Sequence, residues 1–140
     1  MKKLLLFAAI SFFAYTTKAQ SLNFEGTVKY IKDKVECCEM YSHKIDIKQD
    51  GSIIISGKEN FKNSFNLFDL CRDKTQYNIR EEDAKYGFGY CPSNNSILFQ
   101  LSPTSSESIY FKTKEENLRI INAFKRLLVV CTKGKDPFDK

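Results

Sequence analysis

The chain has 140 residues, with 22 Lys plus Arg against 17 Asp plus Glu. That length fits one domain able to bury a core of its own. The formal charge of +5 falls to +2 once Lys2, Lys3 and Lys18 are set aside with the leader-like start, and a balance that small leaves no electrostatic footprint for nucleic acid.

The start itself carries the clearest signal. Met1-Lys2-Lys3 is basic, Leu4 to Ala14 is apolar and uncharged, and Thr17-Lys18-Ala19 places small residues before a cut at Gln20. This is the order of a secretory signal: basic, apolar, small. The apolar run is short of the roughly 20 residues a spanning helix needs. No cysteine stands at the cut, the first being Cys37, so a lipid anchor is not expected. The expectation is a signal peptide over 1–19 and one exported domain over 20–140, periplasmic or secreted and bacterial in style, with no membrane span in the mature chain.

Leu22, Phe24, Val28 and Tyr30 alternate with polar residues, a period of two that predicts a half-buried strand. The charged stretch Lys32 to Glu39, with Cys37 and Cys38, reads as a loop. Tyr41, His43, Ile45 and Ile47 share the next strand face. Asp50-Gly51 then separates this strand from Ser52 to Ser56, a strong hairpin signal because glycine accepts the backbone of a tight turn. Phe61 to Leu70 and Thr75 to Ile79 are further strand candidates. Tyr86-Gly87-Phe88-Gly89-Tyr90 reads as a bulged strand, followed by Ile97 to Leu101 and Ser108 to Phe111.

The period then changes. Thr113-Lys-Glu-Glu116 is a capping box, and Leu118, Ile121, Phe124, Leu128 and Cys131 form an apolar helical stripe, widened by Ile120 and Leu127. A helix is expected over about 113–132, closed by Gly134 and Pro137. The predicted fold class is α+β, mainly β: a bent antiparallel sheet or open barrel of about seven strands, capped by one C-terminal amphipathic helix. Ser108-Ile-Tyr-Phe111 followed by Glu115 to Leu127 resembles the end of pleckstrin-homology-like domains, where a last strand leads into a helix that plugs a barrel. The resemblance covers the element order and, residue by residue, only the last quarter. The chain has no tryptophan, and Lys32-Asp-Lys34-Val-Glu-Cys37 is diluted by acids, so no lipid-binding residues carry over.

Five cysteines, Cys37, Cys38, Cys71, Cys91 and Cys131, are candidate disulfide partners in an exported chain. The odd count leaves at least one unpaired within the chain. Adjacent cysteines bridge each other with difficulty, so the expectation is that Cys37 or Cys38 bonds Cys71 or Cys131. The alternative is a redox or soft-metal site using Cys37, Cys38 and His43, although the spacing suits neither Cys-x-x-Cys exchange nor structural zinc. His43, the only histidine, is expected at the core or its rim. Glu81-Glu82-Asp83 lacks the oxygen spacing of a calcium loop and reads as a solvated loop or one helical turn. Tyr86, Phe88 and Tyr90 face one way. Core is the favoured reading, and a ribbon for a partner, a glycan or an apolar ligand is the alternative. No catalytic constellation and no cofactor site is read. The functional expectation is a non-catalytic binding module of the cell envelope, with an apolar-ligand carrier or a cysteine-dependent redox protein as alternatives.

Overall fold

A computed structural model describes residues 23–72 and 78–131. The expected leader, Thr75 to Tyr77 of one expected strand, and the stop signals Gly134 and Pro137 lie outside the described residues; Asn78 and Ile79 belong to no strand.

The first described element corrects the sequence reading. Phe24–Cys38 is a helix, α1, not a strand and loop. Asn23 caps it: its Oδ1 accepts from the Gly26 N–H at 2.8 Å. Thr27, Ile31 and Val35, four residues apart, form its buried stripe, and Lys29 pairs with Asp33 on the wet face at 2.7 Å. Alternation over Leu22 to Tyr30 is real, but it stops at Ile31. The four-residue spacing continues to the end of the helix and decides the outcome.

Two three-stranded antiparallel sheets follow. The first has the order β1 (Lys44–Ile47), β2 (Ser52–Ser56), β3 (Lys62–Asn66). Ile45 opposes Ile55 and Ile47 opposes Ile53, so four isoleucines face the core. Gly51 sits at φ +85 in the expected turn, a backbone region that glycine enters without steric cost. After Asn66 the chain turns, with Asn66 Oδ1 accepting from Phe68 N–H at 2.9 Å, so the strand expected to reach Leu70 ends early.

The short helix α2 (Glu81–Ala84) leads into the second sheet, β4 (Phe88–Cys91), β5 (Ser96–Ser102) and β6 (Ser105–Tyr110). A tight hairpin joins β5 to β6 and pairs Ser102 with Ser105. Chain continuity carries β6 into α3 (Lys114–Val130), which has the predicted capping box: Thr113 Oγ1 accepts from Glu116 N–H, and Glu116 reaches back to Thr113 N–H, both at 3.2 Å.

The fold class is therefore α+β, as expected, but the described residues form six strands in two sheets and no closed barrel, with two long helices rather than one. The helices pack on each other, α1 also on β1 and α3 also on β4 and β5. One core joins the layers. Phe65 of the first sheet meets Phe99 of the second at 5.1 Å between ring centres, and Phe99 meets Phe124 of α3 edge-on at 5.0 Å. Four fully buried phenylalanines and nine fully buried Ile or Leu fill this space, each contributing on the order of 1.5–3 kcal/mol by burial.

Asn95, in the β4–β5 turn at φ +52, fastens α3 to the sheet. Its Nδ2 donates to the carbonyls of Phe111 (3.2 Å) and Lys112 (3.1 Å). Its Oδ1 accepts from Tyr90 Oη at 3.1 Å and from the buried Asn117 Nδ2 at 3.3 Å.

Candidate functional site

Helix α1 ends at Cys37-Cys38-Glu39, where polar and aromatic groups gather. Glu39 caps the helix with its N–H on Val35 O, and its side chain turns fully inward. Oε2 accepts from the N–H groups of Tyr41 at 2.8 Å and His43 at 3.1 Å. Oε1 accepts from Tyr110 N–H at 3.2 Å and lies 3.2 Å from His43 Nδ1. One carboxylate thus ties together a helix end, the approach to β1 and the end of β6. Ser42 adopts φ +59, a left-handed conformation that costs a non-glycine residue about 1 kcal/mol. That reversal lets Tyr41 and His43 donate to the same oxygen.

The backbone held this way presents an aromatic rim. Tyr41 packs edge-on against Tyr110 at 5.1 Å and lies 6.2 Å from the His43 ring, which is 5.7 Å from Phe61. Met40, Tyr41 and Phe61 are 56%, 57% and 41% exposed. Three of the four exposed large hydrophobics among the described residues therefore fall on this rim, which sets it apart from scattered surface apolars. Lys44 and Lys62, both exposed, flank Ser56 in one row at this end of the first sheet.

The five cysteines resolve against expectation. Cys37 and Cys38 bond each other; Cys71, Cys91 and Cys131 are free thiols. No distant pair is bridged because α1 carries the adjacent cysteines out to its end, Cys37 exposed and Cys38 half-buried. Cys131 is buried at the C-cap of α3, and burial pushes its thiol up, away from the reactive thiolate. The disulfide, Glu39, Met40, Lys112 and Glu116 line an open concavity of about 380 Å³. Glu116 also lines a neighbouring cleft of about 40 Å³ with Tyr30, Lys34, Phe111, Arg119 and Ile120.

The acidic triplet at 81–83 forms the helical turn given as one expectation, with Glu81 and Glu82 exposed, but its third member departs from it. Asp83 is completely buried rather than solvated. Its Oδ2 accepts from Arg80 Nη2 at 2.8 Å and from Tyr90 N–H at 3.3 Å, and its Oδ1 accepts from Lys125 of α3. Burial by itself would push the carboxyl up, but the hydrogen bonds from Lys125, Arg80 and Tyr90 outweigh it and hold the group below the usual carboxylate range. Lys125 also sits 4.9 Å over the Tyr86 ring. Gly89 permits this approach: a Cβ there would lie 2.3 Å from Asp83 Cβ. The glycine therefore marks close packing and not the expected bulge.

Tyr86, Phe88 and Tyr90 do not form one strand face on the surface. Tyr86 lies in the turn before β4, half-buried, while Phe88 and Tyr90 are buried. Phe88 stacks with Phe99 at 5.7 Å and meets Phe124 at 6.1 Å, so these rings fill the space between sheet and helix. Glu39, Phe61 and Tyr110 were not singled out in the sequence, and only the phase of Tyr41 with His43 pointed toward the rim. Among the described residues no group of three or more His, Cys, Asp and Glu could hold a metal ion, and no helix is long and apolar enough to cross a membrane. No family model, curated protein or solved structure matches the chain.

Proposed function

We propose that this chain is an exported, non-catalytic interaction module that docks a protein partner of the cell envelope on the rim formed by Met40, Tyr41 and Phe61. The observation that carries the reading is the exposure of these three side chains on a backbone fixed by the buried Glu39. Methionine and aromatic residues are enriched in protein interfaces, where they act as anchors. A rim already held in place loses little further conformational freedom on binding. The flanking Lys44 and Lys62 favour an acidic partner surface. The basic and apolar order of residues 1–19 supports the address.

The test is position-specific photocrosslinking in the cells that make the protein. A photoreactive residue replaces Tyr41, and a control replaces Val129, which is 71% exposed on α3. The expected result is one discrete adduct from position 41, none from position 129, and loss of the adduct when Phe61→Ser is added. Equal adducts from both positions, or none from position 41, would sink the docking reading. Intact mass of the exported form separately checks the address, with Gln20 expected at its start.

A further inference from the structure

We propose that the Cys37–Cys38 disulfide is a thiol-exchange site for a small thiol carrying carboxylates. A bond between adjacent residues closes almost no loop. The chain-entropy relation gives such a ring less than half the effect of a bridge closing fifteen residues, so stapling the fold is a weak account of it. The remaining three thiols are half-buried or buried, and the oxidised pair stands at a helix end with Cys37 exposed. The two cysteines line the 380 Å³ concavity together with Lys112, and Lys34 and Arg119 line the cleft beside it. The acids of the same surface are already engaged. Glu39 receives three backbone N–H groups, and Glu116 receives the N–H and hydroxyl of Thr113. Those uncharged donors leave both carboxylates charged, but the two openings together are lined by three cations, Lys34, Lys112 and Arg119, against these two acids, and the small positive balance draws anions in and raises their encounter rate.

The exchange balances without a further oxidant. The thiolate of the small molecule attacks Cys37 Sγ, the accessible sulfur. The Cys37–Cys38 bond breaks, a bond from Cys37 to the small thiol forms, and Cys38 leaves as a thiolate that takes a proton from water. A second small thiolate attacks the small-molecule sulfur of this mixed disulfide, releasing Cys37 as a thiolate. Two small thiols are oxidised to one small disulfide, and the cysteine pair is reduced by two electrons.

The experiment uses the purified full chain in its oxidised form and three probes at matched thiolate concentration: glutathione, neutral mercaptoethanol and cationic cysteamine. Adduct formation is followed by intact mass and peptide mapping. Glutathione is expected to react at Cys37 about fivefold faster than mercaptoethanol, the effect of one close surface charge pair, and cysteamine more slowly than either. Salt at about 1 M should level the three rates, since screening then acts within roughly 3 Å. Lys112→Gln should slow glutathione more than mercaptoethanol, whose thiolate carries no added carboxylate, a pattern that a folding defect would not give. Equal rates for all three probes, adducts at Cys71 in place of Cys37, or a pair that small disulfides cannot oxidise to the ring would each overturn the proposal. These readouts are independent of any partner on the aromatic rim.

Discussion

Two buried carboxylates organise separate regions of this molecule, and they do so by different means. Asp83 is held by side-chain cations from two elements, Arg80 and Lys125, with one backbone N–H added. Glu39 is held by three backbone N–H groups and the edge of His43. The first arrangement neutralises a charge and locks α2, β4 and α3 together. The second fixes a backbone path and, through it, the direction of Tyr41, His43 and Tyr110. A charge lock stabilises the fold; a backbone clamp shapes a surface.

Removing each hub separates the two roles. Asp83→Ala leaves Lys125 without its carboxylate while Arg80 keeps Glu82 at 2.8 Å, and it should cost about 3 kcal/mol in urea unfolding, the lower end for a broken buried pair because both cations reach solvent. Glu39→Gln keeps one acceptor but sets an amide NH₂ against backbone donors. It should cost about 2 kcal/mol and also weaken the crosslink at position 41, which Asp83→Ala should leave intact in the folded fraction. An Asp83 variant that abolishes that crosslink at full folding would break the comparison.

Acid should reach the fold through Asp83. The folded-state carboxyl of Asp83 lies below its unfolded value of about 3.9. The unfolded chain therefore binds the proton first, and the stability contributed by this group is present above about pH 4 and lost as pH falls further. Urea midpoints measured from pH 5 to pH 2.5 should drop more steeply for the native chain than for Asp83→Asn. Parallel curves would show that the cations do not hold this carboxyl down. The smallest effect is expected at the disulfide. Changing Cys37 and Cys38 together to serine should cost roughly 1 kcal/mol, against about 3 kcal/mol for a bridge closing fifteen residues. A larger loss in the urea midpoint would make the bond a structural staple after all.

What the sequence showed of this fold follows from where the determining contacts lie. Helix α3 was legible because its capping box and apolar stripe agree within twenty residues. The β1–β2 hairpin was legible because Asp50-Gly51 specifies its own turn. Helix α1 was not. Gly26 and the β-branched Thr27, Val28, Ile31 and Val35 weaken helix propensity, and its stripe is satisfied only by packing on α3 and β1. Glu39 could not be read as a hub, because its partner Tyr110 lies 71 residues away. The rim needs the register that brings Phe61 beside His43, and the cysteine pair needs the helix end that presents it. Both depend on tertiary structure, not on local pattern.

The Asn95 fastener has a consequence for how the chain acquires its shape. Its side chain holds the carbonyls of Phe111 and Lys112, the hydroxyl of Tyr90 and the amide of Asn117, so the first turn of α3 is anchored only after the β4–β5 turn has closed. Amide hydrogen exchange should then find these two segments, separate in sequence, opening together as one cooperative unit. The helix that reads most independently in the sequence would be the one that waits for the sheet.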